Sequence, residues 1–358
     1  MNLSQSRVSP EFLLNQIQTV IDPKASEVKV FQLAGDASNR AYYRLDVGLK
    51  GHQRRTIVLM ALADPEPFKQ SEEKESGHLV STEIPFLNIQ RYFFSAGVAV
   101  PQIYHDDQKN RLIYLEDLGD VTFEAVVKNA PADRLKQFYR QAIDGLIKIQ
   151  NCKNNSHFCV AFERSYNQPL LVWEFEHFLE YGVEKKGGRK PNLEDTVVFK
   201  ESFHRISTMI AAESPLLVHR DYHSRNLMVQ GETLRVIDFQ DALMGPPQYD
   251  LASLLRDAYM TLPEALIDEM VEYYLDQKEK EEKGSINRRQ FRYLFDLISL
   301  QRNMKAAGRF VFIDVVKKNP NFLKYVPKAL KDISINLNKY PELKSLKASL
   351  VRYLPELA

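Results

Sequence analysis

The segment that constrains this chain most runs from His219 to Asp250 and reads HRDYHSRNLMVQGETLRVIDFQDALMGPPQYD. Its polar residues fall at set intervals between short apolar runs. Asp221 follows His219 and Arg220, Asn226 stands five residues beyond Asp221, and a β-pattern through Leu234, Val236 and Ile237 leads to a second aspartate, Asp238. A carboxylate such as Asp221 can accept or orient the proton of an attacking hydroxyl. An amide oxygen and a second carboxylate, Asn226 and Asp238, are hard oxygen donors suited to Mg²⁺. A lone aspartate says little, because most are caps or solvated charges. Here spacing, intervening strand and metal-type donors agree.

The order H-x-D-x-x-x-x-N, strand, D-F is the phosphoryl-transfer arrangement of kinase-like enzymes. HRDYHSRNLM resembles the catalytic loop of the aminoglycoside phosphotransferase family, a small-molecule branch of the protein-kinase-like fold. IDFQDA and the later YDLASLLRD resemble that family's metal-binding segment and following helix. Protein kinases usually carry Asp-Phe-Gly at the metal aspartate, whereas this chain has Asp238-Phe239-Gln240-Asp241, which favours a small-molecule kinase. The resemblance implies an α+β, two-lobed protein-kinase-like fold: a small antiparallel-sheet lobe over 1–118 binding nucleotide, and a larger helical lobe over 119–358 carrying catalysis and the acceptor site. It implies ATP and Mg²⁺ as cofactors, Asp221 as the catalytic base, and Asn226 and Asp238 as metal ligands.

In chain order, residues 11–21 have helical spacing, and strand-like runs follow from Val28 to Leu33 and from Arg40 to Val47. In the second run Tyr43, Leu45 and Val47 alternate with Arg40, Tyr42, Arg44 and Asp46, giving a two-faced strand. The small polar loop between the runs, Gly35 to Asn39, is a layout that presents backbone N–H groups to phosphates. Asp36-Ala37-Ser38-Asn39-Arg40 resembles the family's nucleotide loop, which makes Ser38, Asn39, Arg40 and Arg44 candidate nucleotide contacts. The third strand, 55–61, has Met60 where kinases carry a lysine for the phosphates. One subgroup of the family combines such a loop with a methionine here: anomeric kinases of N-acetylmuramic acid and N-acetylglucosamine, which serve bacterial cell-wall recycling.

A helix is expected over 84–95, with Glu83 as a charge at its N-terminus, then strands around Val100–Tyr104 and Leu112–Leu115. Glu116 to Asp120 breaks the pattern as an acidic turn; in the family it is the hinge whose backbone binds the adenine edge, so Glu116 and Leu118 join the nucleotide candidates. Beyond it the spacing predicts helices over 133–151, 199–211, 264–275 and 290–316, with DQKEKEEK at 276–283 as a solvated end. QPLLVWEFEHFLEYGV, with the single tryptophan, resembles the subgroup's segment bordering the acceptor, and Gln301 to Gly308 resembles it again. Trp173, Glu176, Arg302 and Lys305 are therefore acceptor candidates, against the commoner fates of such residues as core aromatic and surface charge. Asp250 is read as the N-cap of a helix starting at Leu251.

With 48 basic and 47 acidic residues nothing suggests a nucleic-acid footprint. Cys152 and Cys159 lack His/Cys neighbours at metal spacing and are read as free thiols in a reducing cytosol. No run approaches the ~18 apolar residues of a membrane span, so the expected setting is cytoplasmic, with a nucleotide and an amino sugar as partners and the oligomeric state open. The expected reaction is ATP-dependent phosphorylation of the anomeric hydroxyl of N-acetylmuramic acid or N-acetylglucosamine. An aminoglycoside- or choline-type kinase is the rival within enzymes, and a pseudokinase scaffold, supported by Met60, is the rival outside them.

Overall fold

A computed structural model describes residues 8–33, 40–62, 83–154 and 158–358. The loop expectation at Asp36, Ala37, Ser38 and Asn39 lies outside the described residues. Backbone contacts divide the chain into two units, one formed by described residues before 63 with Val100–Asp120, the other by residues 83–99 with Val121–Ala358. Helix 85–95 thus groups with the second unit, although sequence placed it in the first lobe.

The first unit is an antiparallel sheet behind one helix. Helix α1 (Pro10–Val20) starts at Ser9, whose hydroxyl accepts the Phe12 amide at 3.3 Å, with Pro10 in the first turn. Strands β1 (Ala25–Gln32), β2 (Ala41–Leu49), β3 (Arg54–Ala61), β4 (Ile103–Asp107) and β5 (Leu112–Glu116) pair in the order β1-β2-β3-β5-β4. The alternation read in β2 is real: Leu45 and Val47 are fully buried and pack with Ile57 and Leu59 of β3 and with Leu13 and Ile17 of α1. Met60 pairs with Tyr42 across β2 and Ile113 across β5, lies on the opposite sheet face, and is fully buried.

The second unit is mostly helical. It contains α2 (Pro85–Ser95), α3 (Phe123–Val127), α4 (Ala132–Gln150) and α5 (Gln168–His177), which runs directly into a π-helical stretch, Phe178–Lys185. Then come α6 (Leu193–Ala211), three short strands β6 (Leu216–Val218), β7 (Leu227–Gln230) and β8 (Thr233–Val236), and β9 (Leu243–Gly245) pairing back on β6. Helices α7 (Gln248–Leu255), α8 (Glu264–Glu282), α9 (Arg288–Val315), α10 (Val326–Lys339) and α11 (Lys344–Val351) complete it.

Helix α9 organises this unit, because its apolar residues Leu294, Phe295, Ile298 and Met304 are buried and α5, α7, α10 and the π-helical stretch pack on it. Close approach needs Gly308, where an added Cβ would lie 2.9 Å from the Phe178 Cα. The charged run read as a solvated end forms the last turns of α8: Asp276 and Lys280 are exposed, Arg288 bridges Asp276 at 2.7 Å and Glu279 at 2.6 Å, and only Lys278 is buried. Lys185 closes the π-helical stretch. Cys152 and Cys159 are free, and burial pushes both thiols up to about 11, leaving little thiolate at neutral pH. Among the described residues, no helix is long and apolar enough to cross a membrane.

Candidate active site

The segment between β6 and β7 carries His219 to Asn226, and the turn after β8 carries Asp238. His219 is fully buried; its Nε2–H donates to the Ile237 carbonyl at 2.9 Å, and its Nδ1 accepts the Asp221 amide at 3.3 Å. One ring therefore ties the start of the loop to the strand that delivers Asp238, and its two partners fix the tautomer.

Arg220, immediately before Asp221, adopts φ 80°, a left-handed conformation costly for a residue with a Cβ. Its amide, its carbonyl and one guanidinium nitrogen are each engaged. Its amide donates to Asp250 Oδ1 at 2.9 Å, its carbonyl accepts Arg302 Nη1 at 2.9 Å, and its guanidinium meets Glu174 Oε1 at 3.1 Å. Asp250 also accepts the His219 amide at 2.6 Å. This overturns the cap reading of Asp250: α7 begins at Gln248, so Asp250 falls in its first turn, where its buried carboxylate reaches the loop instead of the helix's own amides. Burial pushes this carboxyl up to about 6, against the pull of His219 and the two amides, so it is ionised at neutral pH.

Asp221 retains 37 % side-chain exposure. Burial pushes its carboxyl up, but Lys305 and Arg302, joined by His223 and Arg220, outweigh that and hold it well below the usual carboxylate range. Arg302 Nη2 lies 3.9 Å from Asp221 Oδ1, and the guanidinium stacks over the Tyr249 ring at 4.7 Å.

Asn226 Nδ2 donates to the Asp221 carbonyl at 2.9 Å and lies 3.4 Å from Asp238 Oδ2, leaving the amide oxygen Oδ1 without a hydrogen-bond partner among the described residues. Asp238 is exposed, has φ 62°, and accepts Gln240 Nε2 at 2.8 Å. Gln240 is the residue that departs from Asp-Phe-Gly, and here it orients the carboxylate. An open amide oxygen beside an exposed carboxylate is a donor set that fits Mg²⁺.

The structure brings Asp221, Asn226, Asp238, Arg302 and Lys305 into one neighbourhood. It does not treat the α5 candidates alike. Trp173 stacks on His177 (centroids 5.7 Å apart), in an aromatic series continuing to Tyr181 and Phe312. Glu176 is exposed, two residues and thus about 200° around the helix from Glu174. Glu174 is the buried acid that sequence reasoning missed. It accepts Lys305 at 2.8 Å, Arg220 at 3.1 Å and Gln301 at 2.6 Å, as well as the Tyr166 hydroxyl. Burial opposes ionisation, yet Lys305 and Arg220 keep its carboxyl below its ordinary value. The signal was available: Glu174 stands three residues after Leu171 and four after Leu170, on the apolar stripe.

In the first unit, Arg44 forms a two-pronged ion pair with Asp117, at 2.7 and 3.0 Å, and a second pair with Asp120 at 2.8 Å. Its three nitrogens thereby brace the acidic turn. Arg40 immediately precedes β2 and is half-buried. Glu116 ends β5, and its amide and carboxylate both engage Gln102. Leu118 is nearly buried, and its backbone has no partner among the described residues.

Residues 29–285 match the family model of the phosphotransferase enzyme family. The chain is 32% identical over 269 residues to an N-acetylmuramate/N-acetylglucosamine kinase of Pseudomonas putida, covering 73% of this chain and 75% of that one. It is 28% identical over 341 residues to a kinase of the same name from Neisseria meningitidis serogroup B, covering 95% and 94%. Among solved structures, an ADP-bound aminoglycoside phosphotransferase superposes with a TM-score of 0.56 at 14% identity, over 92% of this chain and 98% of that one. The fold is thus the two-lobed, protein-kinase-like α+β fold. Matched over most of its length and built around this loop, the chain belongs to the phosphotransferase enzyme family.

Proposed function

We propose that this protein is an ATP-dependent sugar kinase that phosphorylates the anomeric hydroxyl of N-acetylmuramic acid and N-acetylglucosamine in the cytoplasm. The observation that carries the reading is Asn226, whose Nδ2 donates to the Asp221 backbone carbonyl at 2.9 Å and lies 3.4 Å from Asp238 Oδ2, so one side chain ties the catalytic loop to the second aspartate. The relatives' names supply the acceptor. Glu174, Asp250 and Asp257, buried acids against the loop, all accept from protein donors and offer nothing to a cationic aminoglycoside or choline acceptor.

In this reading Asn226 and Asp238 hold Mg²⁺, which when bound neutralises charge on the nucleotide phosphates. Leu118 offers its backbone N–H and C=O to the adenine edge, and Ser38, Asn39 and Arg40 are the residues assigned to the phosphates from the sequence. Arg44 serves the nucleotide indirectly, by holding Asp117 and Asp120 around Leu118.

Asp221 accepts a hydrogen bond from the acceptor hydroxyl and fixes its direction of attack. The new O–P bond forms at the γ-phosphorus, the bond to the β-phosphate oxygen breaks, ADP leaves, and the hydroxyl proton passes to Asp221. A carboxylate held well below its ordinary range is a weak base, so Asp221 orients more than it deprotonates. That suits a loose phosphoryl transfer, where positioning dominates, and it suits an anomeric hydroxyl, which is more acidic than an ordinary alcohol.

The test is Asp221→Asn. ADP release driven by sugar should fall on the order of 10²-fold or more with nucleotide affinity retained, whereas Asp238→Ala should weaken Mg²⁺-nucleotide binding itself. Near-normal turnover in Asp221→Asn would remove the assignment. Nucleotide binding without turnover in the unaltered protein would leave the scaffold reading that Met60 favours.

A further inference from the structure

The catalytic loop alternates beyond Asp221. Tyr222 and Ser224 are buried, with the Tyr222 hydroxyl on the Ala142 carbonyl at 2.8 Å and the Ser224 amide on Asp257 at 2.9 Å. His223 and Arg225 are half-exposed, as Asp221 is, and His223 Nε2 lies 3.4 Å from Asn226 Nδ2. What they meet there is aromatic. The Arg225 guanidinium lies 3.8 Å from the Tyr259 ring centroid and 4.9 Å from that of Tyr325, and the His223 ring lies 5.2 Å from Tyr259. Tyr259 and Tyr325 are themselves half-exposed and stand edge-to-face at 4.9 Å over the buried Phe310.

Arg225 is only partly used. Its Nε meets Glu124 at 2.7 Å, and its Nη2 reaches the Tyr325 hydroxyl at 2.5 Å and Glu124 at 3.4 Å. Nη1 has no partner among the described residues, and the side chain is 26 % exposed. Lys324 adds a second positive group over the Tyr325 ring at 5.2 Å. The cations that the sequence suggested for an anionic acceptor are committed elsewhere. Lys305 is paired with Glu174, and Arg302 holds the Arg220 carbonyl and faces Asp221.

We propose that the half-exposed face formed by His223, Arg225, Tyr259 and Tyr325 is the acceptor subsite, with the tyrosine rings against the sugar and the Nη1 edge of Arg225 on a carboxylate substituent. The inference rests on the sugar-kinase reading and deepens it. Aromatic faces present flat apolar area to a pyranose, with a few polar groups fixing its orientation. A guanidinium with an open edge is the side chain best shaped to recognise a carboxylate. Of the two sugars, N-acetylmuramic acid carries that carboxylate and N-acetylglucosamine does not, so this face sets the preference between them.

The experiment compares kcat/KM for N-acetylmuramic acid, its methyl ester and N-acetylglucosamine. The unaltered protein is set beside Arg225→Met, the paired variant Glu124→Gln/Arg225→Met, which leaves no stranded charge, and Tyr259→Leu, each checked for thermal unfolding. The unaltered protein should prefer the free acid to its methyl ester. That preference should fall roughly 10-fold or more, as expected for losing a charge-assisted hydrogen bond, in both Arg225 variants. Tyr259→Leu should raise KM for both sugars while leaving the KM for ATP in place. If the unaltered protein phosphorylates both sugars yet the Arg225 variants keep the acid-over-ester ratio, the subsite is wrong and the kinase reading stands. If the unaltered protein phosphorylates neither sugar, the reading falls and takes the subsite with it.

Discussion

Replacing Glu174 by glutamine should separate stability from catalysis. The residue is 1 % exposed and accepts from Lys305, Arg220, Gln301 and the Tyr166 hydroxyl. Glutamine keeps the shape but removes the charge, leaving the buried Arg220 and the part-buried Lys305 without their counter-ion. Breaking a buried pair from one side costs about 3–5 kcal/mol, and each kcal/mol lowers Tm by roughly 2–4 °C in a unit of this size. A fall on the order of 10 °C is expected. Because Arg220 loses its guanidinium anchor next to Asp221, kcat should also fall on the order of 10-fold or more, with the KM for ATP unmoved. The pH dependence has a definite sign. The Glu174 carboxyl is held below its ordinary value, so its contribution is present above the ordinary carboxylate range and is lost only as pH falls through the depressed value. The Tm difference from the unaltered protein should therefore be full at neutral pH and shrink only in strong acid. In the double variant Glu174→Gln/Lys305→Met, removing a second buried charge should restore much of the Tm and little of the kcat. Thermal unfolding and steady-state kinetics on all three proteins read both quantities. A single variant within about 2 °C and threefold of normal would refute the positioning role, the temperature limit being below the smallest shift expected.

Asp250→Asn should lower kcat on the order of 10²-fold, since two loop amides lose a charged acceptor. Burial raises this carboxyl to about 6, so its stabilising contribution is present at low pH and lost as pH rises through that value; the stability gap should shift toward the asparagine variant by up to about 3 kcal/mol between pH 4 and 8, read by denaturant titration. Gly308→Ala should destabilise by about 1–3 kcal/mol, because the added Cβ meets backbone at Phe178 that cannot rotate away; an unchanged Tm would count against that close approach. Arg44→Ala should raise the KM for ATP more than it lowers kcat, because it releases Asp117 and Asp120; an unchanged KM would remove its indirect role.

The sequence disclosed what is local and periodic. The two-faced β2, helix α4 and the length of α9 were legible because burial on one side imposes a period, and the loop from His219 to Asp238 because its chemistry needs those residues at those separations. What it hid is tertiary. Asp250 looks like a cap, since an aspartate ahead of an apolar run usually is one; only the fold brings the His219 and Arg220 amides to it. Glu176 and Glu174 are equally acidic in sequence, and the apolar stripe that separates them was overlooked. Lys305 and Arg302 were read for a ligand, whereas the fold commits them to Glu174 and to the strained residue before Asp221. The charged run at the end of α8 lacks an apolar stripe of its own, and its helicity is supported by Arg288 arriving from the next helix.

The central claim is transfer of phosphate to the anomeric oxygen, and it is tested by following reducing ends and ADP together. Phosphorylation there locks the ring and abolishes the reducing end, whereas phosphorylation of any other hydroxyl leaves it intact. With ATP, Mg²⁺ and N-acetylglucosamine or N-acetylmuramic acid, reducing sugar should disappear in step with ADP release, giving a phosphate labile to mild acid. ADP release with the reducing end untouched would contradict the account.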